Sequence, residues 1–320
     1  MVGSRSTQPM DERFSVIICA YTEDRWDWMV EAIHSIQAQT VRAHEIILAI
    51  DHNSALLART REQFPEVMVV ENREQRGLSG ARNSGMAAAS GSILVFMDED
   101  AMAAPDWLER LQEGYADPCV MGVGGAIQPL WVAQRPGWFP DEFAWVVGCT
   151  YRGMPETAAP VRNLIGANMS FRRVVYERAG GFTNGMGRVG LRPVGCEETE
   201  FCIRAAQMIP DWHFLFDPRA KVRHRVPAAR SGWNYFFNRC YSEGLSKAQV
   251  ARRVGAQQGL SNERSYTFRT LPQGVFAGIG SALRGDLNGL GRAAAITAGL
   301  LTTTVGYVRG TIAEKLPRQS

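Results

Sequence analysis

Three acidic residues, Asp98, Glu99 and Asp100, directly follow the apolar run Ile93–Met97. Five consecutive apolar residues predict a strand buried on both faces, and open α/β sheets bind ligands at the carboxyl ends of such strands. Ionised carboxylates this close repel one another, so a bound cation would relieve the repulsion. Oxygen ligands suit Mg²⁺ or Mn²⁺ better than zinc. An Asp-x-Asp pattern alone is equally compatible with a solvated turn.

Two further predicted strands end beside polar residues. Apolar runs predict strands at residues 14–20 and 45–51, and Asp51 closes the second. Because parallel strands end at the same sheet edge, Asp51 and Asp98 would lie along one crevice. An acid there can accept hydrogen bonds from a nucleotide base or ribose, and a turn or helix cap is the alternative role for Asp51. Three residues would line the same edge: Ala20, Tyr21 and Glu23.

A glycine-rich segment, Arg76–Gly85, follows a third predicted strand at residues 67–70. Its glycines, beginning with Gly77, let the backbone approach a ligand closely. The guanidinium groups of Arg76 and Arg82 can contact a diphosphate. The segment matches neither the Walker loop nor the Gly-x-Gly-x-x-Gly fingerprint, which argues against kinase-like and dehydrogenase-like proteins.

Helical patterns at residues 28–39 and 79–89 alternate with these strands. Such alternation predicts βαβ units and therefore an α/β fold with a mostly parallel, right-handed sheet. Residues 1–12 are polar and predict a disordered lead-in rather than a signal peptide.

In order and spacing, these motifs resemble the family-2 glycosyltransferases of GT-A fold. The resemblance covers roughly residues 13–225 and is carried by four segments: Ser15–Glu23, Ile50-Asp51, Arg76–Gly85 and Asp98–Asp100. It implies a Rossmann-like, mostly parallel central sheet flanked by helices. It also implies inverting transfer of a sugar from a nucleotide-diphosphate donor, with a UDP-sugar as the default, to a hydroxyl acceptor.

The resemblance also assigns roles at the sheet edge. Tyr21, Glu23 and Asp51 would hold the base and ribose, and Arg82 would lie near the diphosphate. Asp100 would ligate Mn²⁺ or Mg²⁺ directly. Asp98 would face the ribose or a metal-bound water, and Glu99 would not bind the metal. The complete expected donor-binding set is Ala20, Tyr21, Glu23, Asp51, Arg76, Gly77, Arg82, Asp98 and Glu99.

The later half supplies the expected catalytic residues. Glu197 and Glu198 begin a predicted helix where the family usually has Glu-Asp, with the second acid as general base, so Glu198 is the expected base. Glu197 stays the alternative, and enrichment of acids at a helix N-terminus is the structural alternative for both. His224 matches a family position that completes the metal or diphosphate site, although a histidine on this otherwise apolar strand face could equally be a core residue.

Acceptor contacts are expected from two other segments. Asn168 lies in Gly166–Arg173, which resembles the family's acceptor-side strand. The Pro-rich and aromatic-rich segment 128–162 could form an acceptor pocket with Trp131 and Trp138, or its aromatic residues could fill the core. The glycine-rich stretch Thr183–Gly195 could form a mobile lid.

Charge is distributed unevenly along the 320 residues. The net charge is +3, yet Arg219–Ser320 holds 16 Lys and Arg against 4 Asp and Glu. A basic region predicts an anionic partner, such as a membrane surface or a phosphorylated lipid. The alternative is a basic helical surface that contacts only solvent. Nucleic acid is disfavoured because no recognised motif accompanies the charge. The uncharged stretch 293–308 is short for a membrane span and predicts an interfacial or a packed terminal helix.

The expected organisation is a nucleotide-sugar half at residues 13–128, an acceptor half at 129–228 and a basic helical region at 229–320, for which membrane association is one alternative. Six cysteines without regular spacing predict buried thiols in a reducing cytoplasm. The charge of the basic C-terminal region predicts peripheral contact at the inner membrane face. The expected acceptor is a lipid-linked or cell-surface glycan precursor. Two other functions stay open: an idle nucleotide-sugar-binding scaffold and a metal-dependent phosphohydrolase.

Overall fold

A computed structural model describes residues 12–188, 195–255 and 265–313. Its sheet begins with four parallel strands in the spatial order β3-β2-β1-β4. Their bounds are Phe14–Ala20 for β1, Glu45–Ile50 for β2, Met68–Glu71 for β3 and Ile93–Asp98 for β4. Three helices connect them: α1 (Trp26–Gln37), α2 (Ser54–Gln63) and α3 (Leu78–Ala88).

Both faces of this half-sheet are covered, because β1 is apolar at nearly every position. Val16 and Ile18 pack into one core cluster with the apolar face of α1, and Ile17 packs into a second cluster with α3. The predicted mostly parallel α/β arrangement is therefore confirmed. Element boundaries differ from the predicted ones by one or two residues.

The second half of the sheet is mixed. Strand β8 (Asn168–Arg172) runs antiparallel to both β4 and β6 (Val120–Trp131). Beyond β6 lies the parallel strand β9 (His213–Val226), with two short antiparallel partners, β5 (Ala101–Ala103) and β7 (Ala159–Val161). The remaining helices of this half are α4 (Trp107–Gly114), α5 (Arg173–Ala179) and α6 (Glu197–Met208). The predicted boundary at residues 128 and 129 falls inside β6.

The C-terminal region is helical, as predicted, with α7 at Trp233–Val254, α8 at Leu271–Leu283 and α9 at Asn288–Ala313. Small residues let these helices approach closely. A Cβ atom added at Gly244 of α7 would lie 2.1 Å from the carbonyl oxygen of Thr303 in α9. Within the described residues, none of the helices is both long enough and apolar enough to cross a membrane.

The cysteines are free thiols, and all but Cys119 are buried. This agrees with the prediction from their irregular spacing. Of the predicted disordered lead-in, residues 1–11 lie outside the described part of the chain.

Candidate active site

The strand pairing brings His224 to the acidic residues that follow β4. Ala101, one residue after Asp100, lies opposite His224 in the pairing of β5 with β9. His224 Nε2 is 3.1 Å from Asp100 Oδ1. Ligand atoms of Asp98, Asp100 and His224 all lie within 4.8 Å of one another.

These three side chains fit a divalent cation. Two ligand atoms of one octahedral Mg²⁺ or Mn²⁺ lie about 3 Å apart, which is close to the spacing of the His224 and Asp100 atoms. The other ring nitrogen of His224, Nδ1, is buried and has no hydrogen-bond partner among the described residues. Burial disfavours the charged imidazole, but the Asp100 carboxylate outweighs it and raises the pKa of His224 to about 10. Metal binding through His224 would therefore release a proton.

Two arginines that the sequence did not single out flank Asp100. Arg25 Nη1 lies 2.6 Å from Glu99 Oε1 and 3.2 Å from Asp100 Oδ2. Arg230 Nη2 lies 4.0 Å from Asp100 Oδ2. Burial opposes ionisation of Asp100, yet His224, Arg25 and Arg230 together hold its pKa well below the usual range. Burial and the neighbouring Asp100 raise the pKa of Glu99 to about 7.

Arg82 connects the two groups of acids. It is 3% exposed, and its guanidinium lies 2.8 Å from Glu197 Oε1 and 3.7 Å from Asp98 Oδ1. The side chain comes from α3, whereas Glu197 lies in the first turn of α6 and Asp98 ends β4. Arg82 therefore ties the end of β4, which carries Asp98, to the first turn of α6, which carries Glu197 and Glu198.

We expect Arg82→Met to lower the free energy of unfolding by about 3–5 kcal/mol, because removing one partner of a buried ion pair leaves an uncompensated charge. Urea unfolding followed by circular dichroism measures the change. The matched control is Arg110→Met, which removes an exposed arginine paired with Asp106 and Glu113, and it should leave the urea midpoint almost unchanged. Equal midpoints for both variants would contradict the linking role of Arg82.

Glu198 differs from its neighbour Glu197. Glu197 is buried against Arg82, whereas Glu198 is half-buried and has no ion pair among the described residues. Burial and the adjacent Glu197 carboxylate raise the pKa of Glu198 to about 8. A carboxylate with this pKa can take up a proton close to neutral pH.

One cavity of about 650 Å³ joins these groups. Its wall is built from α3, β4, α6 and β9 on one side and from the C-terminal helices α7 and α9 on the other. The ionisable residues near the strand ends are Arg82, Asp98, Glu197, Glu198 and His224. On the opposite side the wall includes Arg239, Glu243, Lys247, Leu300 and Tyr307. Sequence reasoning did not identify these α7 and α9 residues, because only tertiary packing brings them to the site.

Asp51 lies at the carboxyl end of β2 and holds the glycine-rich loop. Its carboxylate accepts hydrogen bonds from the backbone N–H of Gly77, at 3.0 Å, and from Asn72 Nδ2, at 2.6 Å. Both partners belong to the protein, so a contact between Asp51 and a nucleotide base stays a prediction.

The other expected donor residues lie around the same edge. Ala20 is buried at the end of β1, Tyr21 is half-buried with the Arg25 guanidinium 5.5 Å from its ring centre, and Glu23 is exposed. Arg76 is also exposed, and its guanidinium donates to the carbonyl of His52 at 3.4 Å. Their roles in nucleotide binding stay predictions.

The three expected acceptor residues do not line the cavity. Asn168 is fully buried, and its side chain accepts from Trp107 Nε1 at 2.8 Å and donates to the carbonyls of Ala126 and Ala220. Trp138 stacks on Trp233 with ring centres 3.8 Å apart, and Trp131 packs edge-on against Phe139. These positions give the three residues structural contacts instead.

Other aromatic residues of the same segment do reach the cavity. Trp145 and Tyr151 are part of its wall, together with Phe143. The aromatic residues of 128–162 therefore include both packing side chains and cavity-lining side chains, and the acceptor role of the latter stays a prediction.

The predicted lid is only partly described, since residues 189–194 lie outside the described residues. Before that gap, the chain packs on the N-terminal turn of α3. Ser79 Oγ donates to the carbonyl of Met186 at 2.7 Å, and the N–H of Leu78 donates to the carbonyl of Arg188 at 3.0 Å.

Comparison with known proteins agrees with this geometry. The family model described as Glycosyl transferase family 2 matches residues 15–180. A Haloferax volcanii protein named glucosyl-dolichyl phosphate glucuronosyltransferase is 34% identical over 239 residues, covering 73% of this chain and 76% of the relative.

Two solved structures share the fold. The mannosyltransferase PcManGT from Pyrobaculum calidifontis, solved with GDP-Man and Mn²⁺, has a TM-score of 0.59 at 20% identity. The match covers 97% of this chain and 88% of the PcManGT chain. GalNAc-T7, solved with UDP, GalNAc and Mn²⁺, has a TM-score of 0.53 at 18% identity, and the match covers 81% of this chain and 54% of the GalNAc-T7 chain. The expected GT-A fold is confirmed by these likenesses.

Proposed function

This chain belongs to glycosyltransferase family 2, and we propose that it transfers a sugar from a nucleotide-diphosphate donor to a hydroxyl of a lipid-linked acceptor, with inversion at the anomeric carbon. The observation that carries the proposal is that Glu198, Asp98 and His224 line one cavity. A proton acceptor and a cation site thus face the same space from two sides.

The donor diphosphate would lie at the strand ends, between β4 and α3. Mn²⁺ or Mg²⁺ bound to Asp98, Asp100 and His224 would neutralise the negative charge that develops on the leaving diphosphate. Arg25 and Arg230 add fixed positive charge beside Asp100. The nucleotide would extend towards Tyr21 and Asp51, with a uridine nucleotide as the first expectation.

Glu198 would accept the proton of the attacking hydroxyl. General bases work best when their pKa lies near the operating pH, and burial places the pKa of Glu198 at about 8. The proton moves from the acceptor oxygen to the carboxylate as that oxygen attacks the anomeric carbon from the face opposite the leaving diphosphate. This single displacement inverts the anomeric configuration.

The far side of the cavity suits an acceptor with anionic and apolar parts. Arg239 and Lys247 lie there with Glu243, while Leu300 and Tyr307 contribute apolar surface. The name of the Haloferax relative specifies glucosyl-dolichyl phosphate and a glucuronosyl group. A sugar attached to a polyprenyl phosphate is therefore the acceptor class that we propose, and a nucleotide-glucuronate belongs among the donors to be tested.

One assay separates transfer from the other two functions. The protein is incubated with Mn²⁺ and a panel of uridine, guanosine and thymidine nucleotide-sugars, with and without a polyprenyl-phosphate glycan. We expect nucleotide release that depends on the acceptor, together with a labelled lipid product. Release of phosphate without acceptor would support a phosphohydrolase, and donor binding without turnover would support a scaffold. Either of these results would overturn the proposal.

A further inference from the structure

Large apolar side chains are exposed chiefly on the last two helices. Among the described residues before residue 265, exposed Leu, Ile, Val, Met, Phe or Trp residues occur at four positions, namely Met68, Val132, Met208 and Trp233. Many more occur within 265–313. Leu283 is 85% exposed and Leu287 is 76% exposed, at the turn that joins α8 to α9. Contiguous exposed apolar surface of this kind marks an interaction site.

On α9 the exposed apolar residues follow one stripe. Leu301, Val305, Val308 and Ile312 recur at intervals of four, three and four residues, which places them on one helix face, and Leu290 lies three turns earlier on the same face. An open groove of about 480 Å³ runs along this surface.

The inward faces of the same helices carry small residues. Gly278 of α8 packs against the backbone of Gly289, and Gly306 of α9 packs against the carbonyl of Tyr241 in α7. Small residues inside and large apolar residues outside reverse the usual pattern of a water-exposed helix. The same arrangement is found where helices pack in an apolar solvent.

Basic side chains border this surface. Arg269, Arg284 and Arg309 are exposed, and none of them has an ion-pair partner among the described residues. The acidic residue of this stretch, Asp286, is paired with Arg292. Apolar residues flanked by arginines are typical of a helix that lies in the interface of an anionic bilayer. A second copy of the chain would bring the same unpaired arginines together.

We propose that the exposed face of α8 and α9 docks on an anionic lipid bilayer. Leu287 and the apolar stripe of α9, from Leu290 to Ile312, would insert at the headgroup level. The helices lie on the membrane rather than across it, which agrees with the absence of a membrane-spanning helix in the described part of the chain.

This orientation has a consequence for the catalytic site, which rests on the proposed function. Thr304 lines both the groove on the outer face of α9 and the catalytic cavity. Leu300 and Tyr307, one turn away on the same helix, also belong to the cavity wall. Docking through α9 would therefore place the cavity beside the bilayer, where the hydrocarbon chain of a lipid-linked acceptor is held.

Flotation of the full chain with lipid vesicles tests the proposal. We expect binding to phosphatidylcholine vesicles that contain about 30 mol % phosphatidylglycerol, and weaker binding without the anionic lipid. The double variant Leu301→Gln with Val308→Gln should lower the vesicle partition coefficient by about tenfold or more. The matched control is Met208→Gln on α6, which is exposed on a different element and should bind like the unmodified protein.

Two further measurements keep the test decisive. A second double variant, Leu283→Gln with Leu287→Gln, should reproduce the loss at the helix turn, and thermal unfolding should show both variants folded. Vesicle binding is measured without donor or acceptor, so its result is independent of whether the protein transfers sugar. Unchanged binding by both folded double variants would overturn the proposal. So would a lipid-free dimer, seen by light scattering, that the same substitutions dissociate.

Discussion

Replacing Asp100 with Asn is expected to lower kcat/KM for sugar transfer by about a thousandfold or more. The substitution removes the carboxylate on which His224, Arg25 and Arg230 converge. It keeps the side-chain size but replaces the charged oxygen ligand that we propose for the metal with a neutral, weaker one. Stabilisation of a developing phosphate charge by a metal contributes several kcal/mol, and each 1.36 kcal/mol corresponds to a tenfold change in rate.

The neighbouring Glu99→Gln variant is the matched control. Glu99 also pairs with Arg25 but is not part of the Asp98, Asp100 and His224 cluster. Whatever its effect on donor binding, it should retain the Mn²⁺ dependence of the unmodified protein. Initial rates across an Mn²⁺ titration, with thermal unfolding to confirm the fold, compare the two variants. An Asp100→Asn variant with unchanged rates and Mn²⁺ dependence would remove Asp100 from the metal site.

Glu198→Gln should lower kcat by about a hundredfold to ten-thousandfold, the usual contribution of a general base, with little change in donor affinity. In the unmodified protein, activity should rise with pH as Glu198 loses its proton, with a midpoint close to its pKa of about 8. The variant should lose this part of the pH profile. Donor binding by calorimetry and transfer rates between about pH 6 and about pH 9, on both sides of the midpoint, are the measurements.

Although Glu198→Gln should lower activity, it should raise the stability of the folded protein at alkaline pH. The pKa of Glu198 is raised in the folded state, so its contribution to stability is complete below the unfolded pKa and is lost as the pH rises through about 8. Glu198→Gln cannot ionise, and its melting temperature should therefore exceed that of the unmodified protein at the alkaline end. Glu197→Gln is the comparison, because it removes the partner of Arg82 and should lower stability. Full transfer activity in the Glu198→Gln variant would exclude Glu198 as the general base.

Much of the donor side could be predicted because local sequence determines it. Apolar runs specify buried strands, and parallel strands place their carboxyl ends at one edge, so Asp51 and Asp98 had to share it. The alternating pattern of β9 likewise put His224 on the buried face, which the structure confirms. The antiparallel pairing of β5 with β9 then brings His224 to Asp100.

The residues that sequence reasoning missed depend on contacts between distant segments. Arg25 lies in a short turn before α1, and Arg230 lies in one after β9. Neither has a neighbouring pattern that distinguishes it from a surface arginine. Asn168 lies in a strand that resembles a family motif, but its side chain is buried and bonds Trp107 of α4 and the carbonyls of Ala126 and Ala220, so its acceptor role stays a prediction.

The cavity wall formed by α7 and α9 was equally inaccessible to sequence reasoning. The sequence of residues 293–308 did not decide whether this helix packs against the protein or lies at a membrane interface. One face of α9 packs, because Gly306 lies against α7, whereas Val305 and Val308 are exposed on another face, and contact of that face with a membrane stays a prediction. A hydropathy profile averages over all sides of a helix, so it cannot distinguish the packed face of α9 from its exposed face.

In the proposed reaction, an acceptor hydroxyl that is deprotonated by Glu198 displaces the nucleotide diphosphate in one step. The anomeric configuration of the product tests it most directly, through the proton–proton coupling constant at the transferred sugar in a product made from an α-linked donor. A β-linked product, formed by the unmodified protein and lost in Glu198→Gln, is the result that we predict. An α-linked product would mean retention and would contradict the single displacement.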